Sequence, residues 1–304
     1  MEDRFGFDPR KFVDRECELE LFENLLRLSD HRRILAIQDL GGTGKTQLLR
    51  RFEYRCRTVK PRTPVSFVDL DGKDSETVIR VIKKDLELFK LKFPSFNRYD
   101  FARIRGEFTS FLNSGYFEDA DLKVPSSVRI EKPEVIQVSK IPSFVGERIK
   151  RFTPKQEEWA QAVCNKAFFD DLRSNCEKTP IILLFDRYET CEEELRNWIE
   201  RDLFPLGFFD LENRPKKLIL ILAGRKIPDF TTDWAQEDVD AVVESVKELS
   251  KWKKEHVEEC LRIHGFKYEP KQLDALYLLI KSGLPPSEVV QSIELIMEKR
   301  RAET

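Results

Sequence analysis

Apolar positions recur along the chain in two rhythms. In residues 16–28, Leu19, Phe22, Leu25 and Leu26 return at helical spacing, so a helix is expected there. Residues 34–38 (ILAIQ) follow as a short unbroken apolar run, which reads as a buried strand, and 46–57 return to helical spacing. A second strand is expected over 65–70 (VSFVDL), closed by Asp71 and Gly72, and then a long amphipathic helix over 76–93, ending at Pro94. A helix carrying Trp159 and Phe168 is expected over 155–175. The run 181–185 (IILLF) is an apolar strand ending in Asp186, a helix is expected around 192–203, and 218–222 is a strand followed by Ala223-Gly224-Arg225. A last short strand is expected near 241–249.

Strands made of continuous apolar runs and separated by helices predict a parallel sheet covered on both faces. From Ser250, expected as an N-cap, the chain reads as helical: 251–264, 270–282 and 286–301. The expected organisation is an α/β domain over 1–249 and a small all-helical lid domain over 250–304. Residues 94–155 break the alternation. They hold Phe96, Phe101, Phe108, Phe111 and Phe117, then the proline-rich, β-branched stretch VPSSVRIEKPEVIQVSKIP, and are expected to be an insertion with a satellite core. Its Phe144-Val145-Gly146-Glu147-Arg148 echoes Phe12-Val13-Asp14-Arg15-Glu16, but with the charge order swapped, and is read as chance.

Composition narrows the class. Of 304 residues, 40% are apolar and 36% charged, enough for a core beneath a heavily solvated surface. A net charge of −2 supplies no bulk attraction to nucleic acid or to an anionic membrane, and the basic stretch from Arg55 to Arg62 reads as a solvated face. Six scattered cysteines without a C-x-x-C pair, and three histidines distant from them, argue against a structural zinc site or a disulfide framework. No signal peptide or bilayer-length apolar run is legible, so a cytoplasmic protein without a membrane partner is expected.

The candidate chemistry sits at 39–46, DLGGTGKT. A polyphosphate needs several fixed donors, and a glycine-rich turn between a strand and a helix offers backbone amides plus the positive end of the helix dipole. Gly41, Gly42, Thr43, Gly44, Lys45, Thr46 and Gln47 are the expected binding residues. Lys45 would meet the β- and γ-phosphates, and the Thr46 hydroxyl would ligate Mg²⁺. Asp39 stands where the G-x-x-x-x-G-K-[ST] pattern has glycine. At roughly 8 Å and an effective dielectric of about 20, it would repel a phosphate charge by about 2 kcal/mol unless turned to solvent or a nearby arginine. Its removal is therefore expected to tighten phosphate binding. Asp186, ending an apolar strand, is the expected second Mg²⁺ ligand, with helix capping as its alternative role. Glu189 is placed to align a water as general base. Arg225 is placed to sense the γ-phosphate, or else is a surface arginine after a strand.

Together with KFVDRECELELFENLL upstream and SGLPPSEVV downstream, these residues resemble the STAND class of P-loop ATPases, in the AAA-like superfamily with the NACHT and plant disease-resistance (NB-ARC-like) nucleotide-binding modules. In that class an F-V-G-R-E-like segment lies against the adenine; Phe12, Val13, Arg15 and Glu16 match it, with Asp14 replacing glycine. A G-L-P turn in the lid sets its proline on the base, matched by Gly283-Leu284-Pro285. The resemblance implies an AAA-like P-loop NTPase fold, a three-layer parallel sheet followed by a helical lid. It implies an ATP/ADP switch with slow Mg²⁺-dependent hydrolysis, in which ADP holds the lid closed and ATP favours an assembly-competent form. The catalytic set would be Lys45, Asp186, Glu189 and Arg225. No winged helix, effector domain or repeat array follows the lid in this sequence, so the chain is expected to be either a core excised from a longer protein or a stand-alone unit, with further copies of the chain or separately encoded effector or sensor proteins as partners. The alternatives are an origin-recognition or archaeal-type ATPase associated with DNA, a small-molecule kinase, and a scaffold that binds nucleotide without hydrolysing it.

Overall fold

A computed structural model describes residues 7–28, 31–105 and 153–302. Phe108, Phe111, Phe117 and the 144–148 echo lie outside the described residues. The chain divides into two compact units, Met1–Leu91 with Arg173–Thr304, and Lys92–Leu172.

In the first unit the helices are α1 (Glu16–Arg27), α2 (Lys45–Thr58) and α3 (Ser75–Glu87), interleaved with strands β1 (Ile34–Gln38) and β2 (Val65–Asp69). Helix α4 (Pro94–Ile104) and most of α5 (Pro154–Lys178) belong to the second unit. There follow β3 (Ile181–Asp186), α6 (Glu193–Trp198), β4 (Leu218–Gly224), α7 (Gln236–Val242) and β5 (Val243–Val246). Helices α8 (Lys254–Ile263), α9 (Pro270–Lys281) and α10 (Pro286–Ala302) complete the described chain.

The five strands pair in parallel in the order β2-β3-β4-β1-β5. Every residue of β3 and β4 is buried, as expected for central strands covered on both faces. Beneath the sheet, Phe22 of α1 stacks on Phe52 of α2 with centroids 4.2 Å apart, against Leu35, Ile37, Ile182 and Ile221. The register sets Asp69 beside Asp186 and Gln38 beside Gly224, so strand ends that carry polar residues lie at one edge.

Several boundaries differ from the sequence reading, each for a local reason. Helix α3 stops at Glu87 rather than reaching 93, because the chain turns there with Lys90 at φ 66, and Pro94 opens the next helix instead. The expected helix over 192–203 continues past α6 as a π-helical stretch, Ile199–Leu203. Helix α8 begins at Lys254 with Lys253 as its N-cap. Ser250 does not cap it: its amide and hydroxyl both donate to the Glu18 carboxylate, at 2.7 and 2.9 Å.

Val257, Leu261, Leu273, Val289 and Ile293 form a separate core for α8–α10, into which Val13 inserts. The second unit, described by itself, packs Phe93 in a stack on Phe168 at 5.7 Å and Phe96 edge-on to it at 5.9 Å. Phe101 is exposed and does not join them. Among the described residues no helix is long and apolar enough to cross a membrane.

Candidate nucleotide site

The loop 39–44 leaves β1 and enters α2 at the edge where β3 and β4 also end. Beyond the carboxyl ends of parallel strands, where successive connections run to opposite sides, open α/β sheets bind ligands. Gly42 and Gly44 have φ of +78 and +97, conformations that glycine adopts without strain.

Lys45 folds back over the loop, its Nζ donating to the Asp39 and Leu40 carbonyls at 2.7 and 2.6 Å. Burial lowers its pKa, opposed by the charges of Asp39, Glu189 and Asp186. The Thr46 hydroxyl donates to Asp186 Oδ2 at 2.7 Å. Asp186 is 3% exposed, and burial raises its carboxyl above the usual range despite hydrogen bonds from Thr46 and the Arg187 amide. Two hard oxygen donors in contact suit Mg²⁺, and these residues would hold it; its chemistry would be neutralisation of phosphate charge.

Glu189 reaches the same hollow from beyond β3. Its Oε2 accepts the Arg225 amide at 2.8 Å, and its Oε1 lies 3.6 Å from the Arg225 guanidinium. Gly224 makes this approach possible, because a Cβ there would stand 2.7 Å from Glu189 Oε2 and 2.5 Å from the Lys226 carbonyl. The Arg225 side chain is largely exposed and lies over the loop, 3.0 Å from where a Cβ on Gly41 would sit.

Asp39 is turned neither to solvent nor to an arginine. Its Oδ1 accepts the Leu40 amide at 2.6 Å and its Oδ2 the Leu249 amide at 3.0 Å, which ties the loop to the segment leading to α8. Asp14 and Arg15 both have left-handed backbone, with φ 70 and 84. That explains why the resembling motif carries glycine at the first of these positions; aspartate tolerates this region better than most residues. The Arg15 guanidinium donates to the Thr43 carbonyl at 2.6 Å and to the Ser250 carbonyl, bridging the loop and the segment before α8.

From the other side, the Ser287 amide at the start of α10 donates to the Gly42 carbonyl at 3.3 Å. A Cβ on Gly42 would meet Ser287 Oγ at 2.6 Å and Pro285 Cβ at 2.9 Å, so the helical region presses directly on the loop.

Two hollows adjoin here. One of about 270 Å³ is lined by Gly41, Lys45, Thr46, Asp186, Glu189 and Arg225. The other, of about 440 Å³, is lined by Phe7, Phe12, Val13, Arg15, Thr43 and Trp252 among others. Gly42, Gly44, Gln47 and Ser287 line both. Of the residues singled out in the sequence, Pro285 packs on Gly42, while Pro286 lines the larger hollow. Ser287 and Arg187 were missed. Ser287 had a signal, since it opens a helix directly after the G-L-P-P turn. Arg187 had none: it binds Asp69 and Asp71 at the end of β2, a pairing only the sheet register creates.

Sheet order, loop and following helix define a P-loop α/β fold with an attached helical region. No family model matches the chain, and no curated protein matches it. Among solved structures it is similar to a DNA replication initiation factor, at 14% identity over 97% of this chain and 66% of that one, with a TM-score of 0.45. It is similar to AMPPCP-bound DnaA from Aquifex aeolicus, at 14% identity over 98% of this chain and 71% of that one, TM-score 0.45. The Aeropyrum pernix ORC2 protein, in ADPNP–ADP complexes, is similar at 13% identity over 99% of this chain and 68% of that one, TM-score 0.48. The chain thus spans just under two thirds of the first of these. The fold assignment rests on the strand order and the loop, not on these likenesses.

Proposed function

We propose that the chain is an ATP/ADP-binding switch of the STAND type with slow Mg²⁺-dependent hydrolysis. The observation that carries this reading is the Thr46–Asp186 contact at the mouth of a loop whose lysine is already positioned over it. Lys45 would exchange its two loop carbonyls for phosphate oxygens. Glu189 would take a proton from a water aligned with the γ-phosphate, and Arg225 would contact that phosphate from above Gly41. The adenosine part would occupy the larger hollow, between the segment before α1 and the helical region.

Coupling to the lid is supported by the Ser287–Gly42 hydrogen bond, since a loop that shifts to accommodate a third phosphate would disturb it. A ligand moves such an equilibrium only through different affinities for its two states. Native mass measured with ADP and with a non-hydrolysable ATP analogue tests the switch: a mass that rises only with the analogue supports it, and an identical mass in both rejects it. The alternative, a DNA-associated ATPase of the initiator type, would use the same loop residues. Duplex binding that weakens steeply with salt would favour that alternative.

A further inference from the structure

Away from the loop, a second group of side chains joins the segment before α1 to the first turn of α8. Asp14 directly precedes Arg15, Glu16 opens α1, and His256 is the third residue of α8. One donor atom from each lies within 4.8 Å of the other two. His256 Nδ1 is 3.4 Å from Asp14 Oδ2, and the two side chains are only 15% and 3% exposed.

We propose that Asp14, Glu16 and His256 bind a divalent transition-metal ion of the Zn²⁺ class. Metal–ligand bonds of about 2.0–2.1 Å at a tetrahedral angle set neighbouring donors about 3.3–3.4 Å apart, which is the separation found between His256 and Asp14. The buried Asp14 carboxyl and the exposed Glu16 carboxyl converge on the part-buried His256 imidazole, and the adjacent arginine answers only part of their negative charge. Arg15 Nη1 stays 3.5 Å from Asp14, because its guanidinium is directed to the Thr43 and Ser250 carbonyls. An imidazole with two carboxylates suits a borderline ion such as Zn²⁺ better than Mg²⁺ or Ca²⁺, which prefer all-oxygen sets. The spacing of residues 14, 16 and 256 in the chain hides the set, since the fold alone brings them together.

Binding has a structural cost and consequence. His256 Nδ1 accepts the Lys253 amide at 3.1 Å, so ligation through that atom gives up one cap bond of α8. In return the ion fastens the segment before α1 to α8. Val13 and Trp252, beside that junction, line the larger hollow, so occupancy would hold the helical region against it.

The test uses metal-stripped protein, Zn²⁺ alone and a competing chromogenic chelator, without nucleotide. Two substitutions are chosen to keep the fold. In Asp14→Asn the residue still tolerates a left-handed backbone, and in His256→Gln a glutamine at the third helical position still caps the helix. Thermal melts check that each variant is folded. The wild type is expected to bind one Zn²⁺ per chain, and each variant to bind at least tenfold more weakly. Co²⁺ should give ligand-field bands without a thiolate charge-transfer band, unchanged in Cys17→Ser. Absence of stoichiometric binding, variants equal to the wild type, or a thiolate band would each overturn the proposal. None of these results bears on the nucleotide reading, which is tested separately.

Discussion

Replacing Asp39 by alanine should cost stability rather than improve the grip on phosphate. Judged by charge alone, removing the carboxylate relieves about 2 kcal/mol of repulsion per phosphate charge at roughly 8 Å. The structure sets a comparable quantity against it. Asp39 accepts the amides of Leu40 and Leu249, and Leu249 is buried at 4% exposure, so its amide would be left without a partner. A hydrogen bond to a charged group contributes about 1.5–3 kcal/mol, and the exposed Leu40 amide can turn to water. The expected loss is therefore about 1.5–3 kcal/mol, visible as a lower urea midpoint. The same two amide dipoles already offset the carboxylate's field, so the gain in nucleotide affinity should stay below about 1 kcal/mol, or roughly fivefold. Asn at 39, which keeps one oxygen acceptor, should lie between wild type and Ala in stability. Urea melts with calorimetric titration of ADP measure both quantities. An Asp39→Ala protein that binds ADP tenfold tighter at an unchanged midpoint would refute the reasoning.

Three further outcomes follow from the site. Burial raises Asp186 in the folded state, so between the ordinary aspartate value and the raised one the native protein holds more protons than the unfolded chain. Stability therefore falls as pH rises through that window; Asp186→Asn should flatten this slope in melts taken upward from the ordinary aspartate value while weakening Mg²⁺-dependent nucleotide binding, and an unchanged slope counts against it. Glu189→Gln should leave binding intact and lower turnover at least ~tenfold in a phosphate-release assay; equal turnover would assign the water to another residue. Arg225→Ala should narrow the ratio of ATP to ADP affinity, and an unchanged ratio would reject its role as a γ-phosphate sensor.

The legible parts of this protein were those whose physics is local. The unbroken apolar run of β3 could only be a covered strand, and Asp186 at its end could then be placed at the sheet edge. Gly42, Gly44 and Lys45 marked a tight glycine turn leading from β1 into α2, which the structure has. What stayed hidden depends on partners remote in sequence. The Asp39 carboxylate finds an amide 210 residues away, and Ser250 finds Glu18 rather than the helix it precedes. Val13 was expected beside a base; it lines the larger hollow and fills the core of α8–α10, a packing that no apolar pattern near residue 13 could disclose. The halt of α3 at Glu87 was obscured by apolar residues that continue at plausible spacing through a turn.

The central claim is that the loop around Lys45 holds the phosphates of an adenine nucleotide. Isothermal titration of ADP and of a non-hydrolysable ATP analogue, with Mg²⁺, into wild type and Lys45→Ala tests it most directly. One nucleotide per wild-type chain is predicted, with affinity reduced in the variant by roughly 10- to 100-fold for the lost charge-assisted hydrogen bonds. No heat with either nucleotide, or equal binding by the variant, would contradict it.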